Sequence, residues 1–77
     1  MTPTEYATAI GSEVRAELAR QRKTQADLAA ALSLTPATIG RRLDGTSPFN
    51  VVELAKTANW LGVPVANLRP ATPAVSA

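Results

Sequence analysis

The chain lacks both cysteine and histidine. The first absence excludes a disulfide scaffold, and the two together exclude a usual Cys/His zinc site. Without imidazole or thiol, acid-base or nucleophilic catalysis would rest on carboxylates, lysines or hydroxyls. The one spacing that invites this is Glu13 and Glu17, at i and i+4. Arg20 lies three residues further on, which is ordinary surface-helix chemistry. The sequence is therefore read as a non-enzyme with no metal and no cofactor. No apolar run approaches the length of a membrane span. The opening MTPTEYATAIGSEVR has no Lys or Arg before its first apolar residues, unlike a secretory leader, so a cytoplasmic protein with no membrane partner is expected.

What remains is a chain of 77 residues, one small domain in length, dominated by helix formers. No sustained apolar-polar alternation signals a strand. Eight Lys and Arg face six Asp and Glu, and the net charge of +2 is modest. Its placement is more informative. Arg15, Arg20, Arg22, Lys23, Arg41 and Arg42 fall between residues 15 and 44, opposed there by Glu17, Asp27 and Asp44. A local basic surface suits nucleic acid. The plain alternative is the solvated face of ordinary helices.

Five helices are predicted. The first covers about Thr4 to Arg22, with Tyr6, Ile10, Val14 and Leu18 on one face, Thr4 or Thr2 as cap, and Gly11 marking a bend or a close helix contact. The second is TQADLAAAL, capped by Thr24, with Asp27 at N3. The third is TPATIGRRLD, capped by Thr35, with Pro36 at N1 and Gly45 closing it in a left-handed conformation. Asn50 caps the fourth helix, VVELAKTANWL, with Glu53 at the capping-box position and a Phe49–Leu54 staple. A short turn, PVANL, follows. Residues 1–69 are assigned to the domain, and 70–77 to a tail or the start of a linker.

Only Ser33 and Leu34 separate Leu32 from Thr35. So short a link forces the third helix steeply across the second. Leu28, Ala29, Leu32, Leu34, Ile39 and Leu43 can then share one core, the physical pattern of a helix-turn-helix. An ordinary helical corner is the alternative. Arg41 and Arg42 stand out within the third helix. A guanidinium fork matches guanine O6 and N7 in the major groove, so Arg41 is the candidate for direct base readout. Arg42 either reaches the DNA backbone or snorkels over the core. Gly40 costs about 1 kcal/mol relative to Ala in a helix; beside Arg41 it either permits close approach to a duplex or is a tolerated surface glycine. Trp60 either packs beneath the first helix, on Tyr6 or Ile10, or joins Val52 as a candidate dimer contact.

The string TQADLAAALSLTPATIGRRLDG, with SPF and LAKTANWLGVPVANL downstream, resembles the lambda-type repressor and Cro (Xre-type) helix-turn-helix family. The resemblance covers about residues 12 to 69. It carries Thr24-Gln25, Leu28-Ala29, a hydrophobic turn residue, Ile39 and the closing Leu43-Asp44-Gly45. It implies a compact five-helix all-α domain of the lambda repressor-like type. It also implies sequence-specific binding to a double-stranded DNA operator, in a bacterial or phage repressor. By the same resemblance, residues 36–44 enter the major groove. Their reading face comprises Pro36, Ala37, Gly40 and Arg41, with Thr38 and Arg42 on the flanks. Gln25 resembles the family glutamine that bonds phosphate at the second helix's start, beside Thr24. Thr46, Ser47 and Asn50 are placed against the sugar-phosphate chain, and Arg20, Arg22 and Lys23 border the DNA face. A weak homodimer that pairs mainly on DNA is expected.

The sequence departs from the family at the turn and along the reading face. Ser33 stands where the turn usually holds Gly, and Pro36 where Gln is frequent. Pro36, Ala37 and Gly40 leave the reading face sparse in hydrogen-bonding groups. A protein-interaction module that keeps the fold without specific operator binding is the second functional reading.

Overall fold

The computed structural model describes residues 2–70. The segment 71–77, read from sequence as a tail or linker, lies outside the described residues. Four α-helices and one 3-10 helix follow in order: α1 (Pro3–Arg20), α2 (Gln25–Leu32), α3 (Pro36–Asp44), α4 (Val51–Leu61) and the 3-10 helix Val65–Leu68. No strand occurs among the described residues.

Local chemistry explains where each helix begins. Thr2, Thr24 and Asn50 each accept the N3 backbone N–H on a side-chain oxygen. Glu5, Asp27 and Glu53 in turn accept the backbone N–H of their caps. Thr35 caps α3 alone, with Pro36 at the position where a missing N–H costs nothing. The predicted first helix runs two residues too far. It stops at Arg20 because Arg22 adopts a left-handed φ of 56°. There the Lys23 N–H reaches back to the Leu18 carbonyl and the Arg22 N–H to that of Ala19, a Schellman closure without glycine. Ser33 closes α2 in the same way at φ 56°, with Leu34 N–H on the Ala29 carbonyl. Ser33 thus makes the left-handed turn without being glycine.

The core is continuous across all five elements. Val14, Leu28, Ile39, Leu43 and Leu68 are fully buried, joined by Leu18, Leu32, Ala29, Ala58 and Leu61. Thr57 is the buried polar residue, and its hydroxyl donates to the Glu53 carbonyl at 2.8 Å. α3 packs on α1 and α2, while α4 packs on α2 and the 3-10 helix. An apolar groove of about 380 Å³, with Tyr6, Ile10, Phe49, Val51 and Leu54 among its walls, lies where the first half of α1 meets the start of α4. At the other end of α4, the Gln21 side-chain amide donates to the Leu61 carbonyl at 2.8 Å.

Trp60 packs half-buried against this core. It stands at the end of α4 that adjoins the end of α1, whereas Tyr6 stands at the opposite end. Its half-buried ring is covered by the Lys23 ammonium, 4.4 Å from the ring centroid. The contact is a cation–π pair of a kind worth about 0.5–1 kcal/mol when exposed.

Candidate nucleic-acid interface

The turn Ser33-Leu34 holds α3 across α2 through Ile39 and Leu43, both buried against Leu28 and Leu32 in one core. Burying that side of α3 turns the other outward. Pro36, Ala37 and Arg41 are exposed, and Thr38 and Gly40 are half-exposed. A Cβ built on Gly40 would meet nothing within 4 Å, so its surface is open.

Two of the predicted reading residues form a unit. The Thr38 hydroxyl accepts from Arg41 Nη2 at 3.2 Å and from the Thr35 hydroxyl at 2.9 Å. A polar row of Thr35, Thr38 and Arg41 therefore runs along α3, with the guanidinium laid over one turn of its own helix. Thr35 and its bonds to Thr38 were legible as a cap but not as a support for Arg41.

The start of α2 is the second candidate contact. The exposed Gln25 side chain stands at its first residue, where backbone N–H groups lack partners within the helix. Thr24 is committed to capping: its hydroxyl accepts from Asp27 N–H at 3.1 Å, and its N–H donates to Asp27 Oδ2 at 2.8 Å. Those bonds hold the Asp27 carboxyl below its usual range, backbone bond first, with Lys23 adding a smaller attraction.

Arg42, expected either on phosphate or over the core, is engaged within the domain. Its Nε donates to Glu53 Oε1 at 2.8 Å and its Nη2 to Oε2 at 3.2 Å, with a longer Nη1 contact of 3.5 Å to the Ser47 carbonyl. The physical reason is the path of the α3–α4 loop. It returns along the flank of α3 that carries Arg42, and brings the start of α4 alongside. The same hydrogen bonds lower the Glu53 carboxyl from its ordinary value and raise the Arg42 guanidinium.

The other cations between residues 15 and 44 divide in two. Arg20 is paired with Glu17 at 2.7 Å and Arg15 with Asp44 at 2.6 Å. Arg22, Lys23 and Arg41 form no ion pair among the described residues. Of the loop residues, Thr46 is exposed and Ser47 half-exposed, while the Asn50 side chain accepts from Glu53 N–H at 2.7 Å as the α4 cap. Val52 is 61% exposed, beside Val51 at 84%. Among the described residues no group of three or more acidic, Cys or His residues could hold a metal, and no helix is long and apolar enough to cross a membrane.

An all-helical domain with a buried two-helix corner and an outward-facing third helix defines a helix-turn-helix module. The chain belongs to the BetR domain family, whose profile matches residues 6–74. The fold is similar to the clp gene regulator ClgR from C. glutamicum, at 26% identity and a TM-score of 0.75 over 80% of each chain. It is also similar to the DNA-binding domain of BldD, at 28% identity and a TM-score of 0.77, over 91% of this chain and 100% of that one. Hydroxypropylphosphonic acid epoxidase from S. wedmorenis shares the fold at 23% identity and a TM-score of 0.76. There the match covers 84% of this chain and 35% of the epoxidase. No curated protein matches the sequence.

Proposed function

We propose that the chain is a sequence-specific DNA-binding transcriptional regulator of the lambda-repressor type, acting as a repressor in the bacterial or phage-infected cytoplasm. α3 lies in the major groove, and the start of α2 sits on the phosphate chain. The observation that carries this reading is the row Thr35–Thr38–Arg41 on the outward side of α3. Similarity to ClgR and to the BldD DNA-binding domain supports it. Arg41 reads a base edge, and Thr38 holds its fork in place. Ala37 and Pro36 offer apolar contact to a thymine methyl, and Gly40 lets the helix approach. Gln25, Thr24, Arg22, Lys23, Thr46 and Ser47 line the backbone, with Arg20 and Asn50 at its edge.

An operator occupied in this way blocks polymerase at the promoter. The domain pairs weakly with a second copy, mainly on DNA, with exposed Val52 in the contact. Selection of bound sequences from random duplexes tests the reading, since a regulator enriches one motif and a pair enriches two symmetric half-sites. The sparse hydrogen-bonding face of Pro36, Ala37 and Gly40 favours a second reading, a protein-interaction module. That module would enrich no sequence, and its partner binding would be nearly insensitive to salt.

A further inference from the structure

Glu53 is absent from every expected contact with DNA, yet it controls one of the two arginines of α3. Its carboxylate is filled by three donors: Arg42 Nε on Oε1, Arg42 Nη2 on Oε2, and the Asn50 backbone N–H on Oε1 at 3.1 Å. The pair is largely withdrawn from solvent, with side-chain exposures of 19% for Arg42 and 14% for Glu53. A two-point bond of this geometry, partly desolvated, is the strong form of an Arg–carboxylate contact. The guanidinium is also turned toward the loop carbonyl of Ser47. Arg41, the neighbouring residue, is exposed and forms no ion pair among the described residues.

The consequence concerns specificity. Cations that neutralise phosphates supply most sequence-independent affinity, and each adds about 0.9 to the slope of log affinity against log salt. Such contacts carry no sequence information. A free Arg42 at the edge of α3 would strengthen binding to any duplex. We propose that Glu53 is a specificity-determining positioning residue. By clasping Arg42, it keeps that charge off the phosphate chain, so that Arg41 alone among the two arginines faces the duplex. This inference rests on the DNA-binding reading above.

The test compares the wild type with three variants on a short random-sequence duplex across a salt series, each variant first checked for folding by circular dichroism. Glu53→Gln releases Arg42, and the slope steepens by about 0.9 while affinity at low salt rises several-fold. Glu53→Gln combined with Arg42→Gln removes the pair without changing net charge, and the slope returns to that of the wild type. Glu13→Gln, on α1, adds the same unit of net charge elsewhere and leaves the slope unchanged. A slope in the double variant about one below wild type means that Arg42 already bonds phosphate, and overturns the proposal even if Glu53→Gln fails to fold. An unchanged slope in folded Glu53→Gln, or an equal rise in Glu13→Gln, also overturns it. Absence of duplex binding by the wild type overturns the DNA-binding reading itself, and this inference with it.

Discussion

Gly11 on α1 and Leu43 on α3 meet backbone to backbone, and a methyl group built on Gly11 would overlap the Leu43 carbonyl oxygen. A backbone carbonyl cannot swing aside as a side chain can. The two helices would have to separate, disturbing Val14, Ile39 and Leu43 together. Gly11→Ala should therefore destabilise the domain by about 1–3 kcal/mol, despite the higher helix propensity of Ala. Gly40→Ala is the converse. Its new methyl group meets open space, so the helix should gain up to about 1 kcal/mol. Chemical denaturation of both variants checks the opposite signs. If α3 approaches a duplex closely at Gly40, the more stable variant also binds DNA more weakly.

Ser33 and Arg22 hold left-handed backbone without being glycine. The αL region costs an L-residue about 1–2 kcal/mol, partly offset by the extra chain entropy that glycine loses on folding. Ser33→Gly should raise the melting temperature, since it relieves the left-handed backbone at φ 56°. Arg22→Gly should stabilise similarly while lowering DNA affinity, because the exposed cation borders the proposed phosphate face. Thermal denaturation of the two variants, with duplex binding of the second, checks both effects.

Features fixed within four residues were legible in the sequence. Thr24 with Asp27, Asn50 with Glu53, and Pro36 after Thr35 each declare a helix start through local hydrogen bonding. The apolar spacing of Leu28, Leu32, Ile39 and Leu43 likewise specified the two-helix corner. The left-handed turn at Arg22 was not legible, because long side chains seldom mark such positions. Nor were the contacts that depend on how distant elements cross. Arg42 finds Glu53 eleven residues away only because the loop returns along α3, and Trp60 meets Lys23 because the ends of α1 and α4 adjoin. The close approach anticipated at Gly11 had no visible partner in the sequence until α3 was placed on α1.

The Glu53 carboxyl carries a pH dependence with a defined sign. Its folded pKa lies below the ordinary value of 4.5, chiefly through the Arg42 hydrogen bonds. The stability it adds is complete above the unfolded pKa and is lost as pH falls through the lowered folded value. At neutral pH, Glu53→Gln should cost about 1.5–3 kcal/mol, on the scale of a hydrogen bond to a charged group. That difference from wild type should shrink as pH falls below 4.5. Urea denaturation of both proteins at neutral and acidic pH measures it. A difference constant with pH would remove the ion pair as its source.

Arg41 bears the most on function, because its neighbours on the outward face of α3 supply so few hydrogen bonds. Pro36 has no side-chain donor, Ala37 only a methyl group, and Gly40 nothing. The Thr38 hydroxyl already bonds Arg41 Nη2 at 3.2 Å. In the proposed function, direct readout therefore concentrates on one guanidinium, positioned by one hydroxyl. On a selected duplex, Arg41→Ala should cost about 1–3 kcal/mol and flatten discrimination at one base pair. Thr38→Val keeps the side-chain shape and removes the hydroxyl. It should cost less than Arg41→Ala at the same base pair, since the fork loses its support but not its donors. Gln25→Ala should weaken selected and random duplexes alike, with little change in salt slope, because that side chain is uncharged. Binding of the three variants to selected and scrambled duplexes across a salt series separates these outcomes. If Arg41→Ala lowers both affinities equally and leaves discrimination intact, Arg41 is a phosphate contact. Sequence would then be read through Thr38, through apolar contacts at Ala37, or through the shape of the duplex.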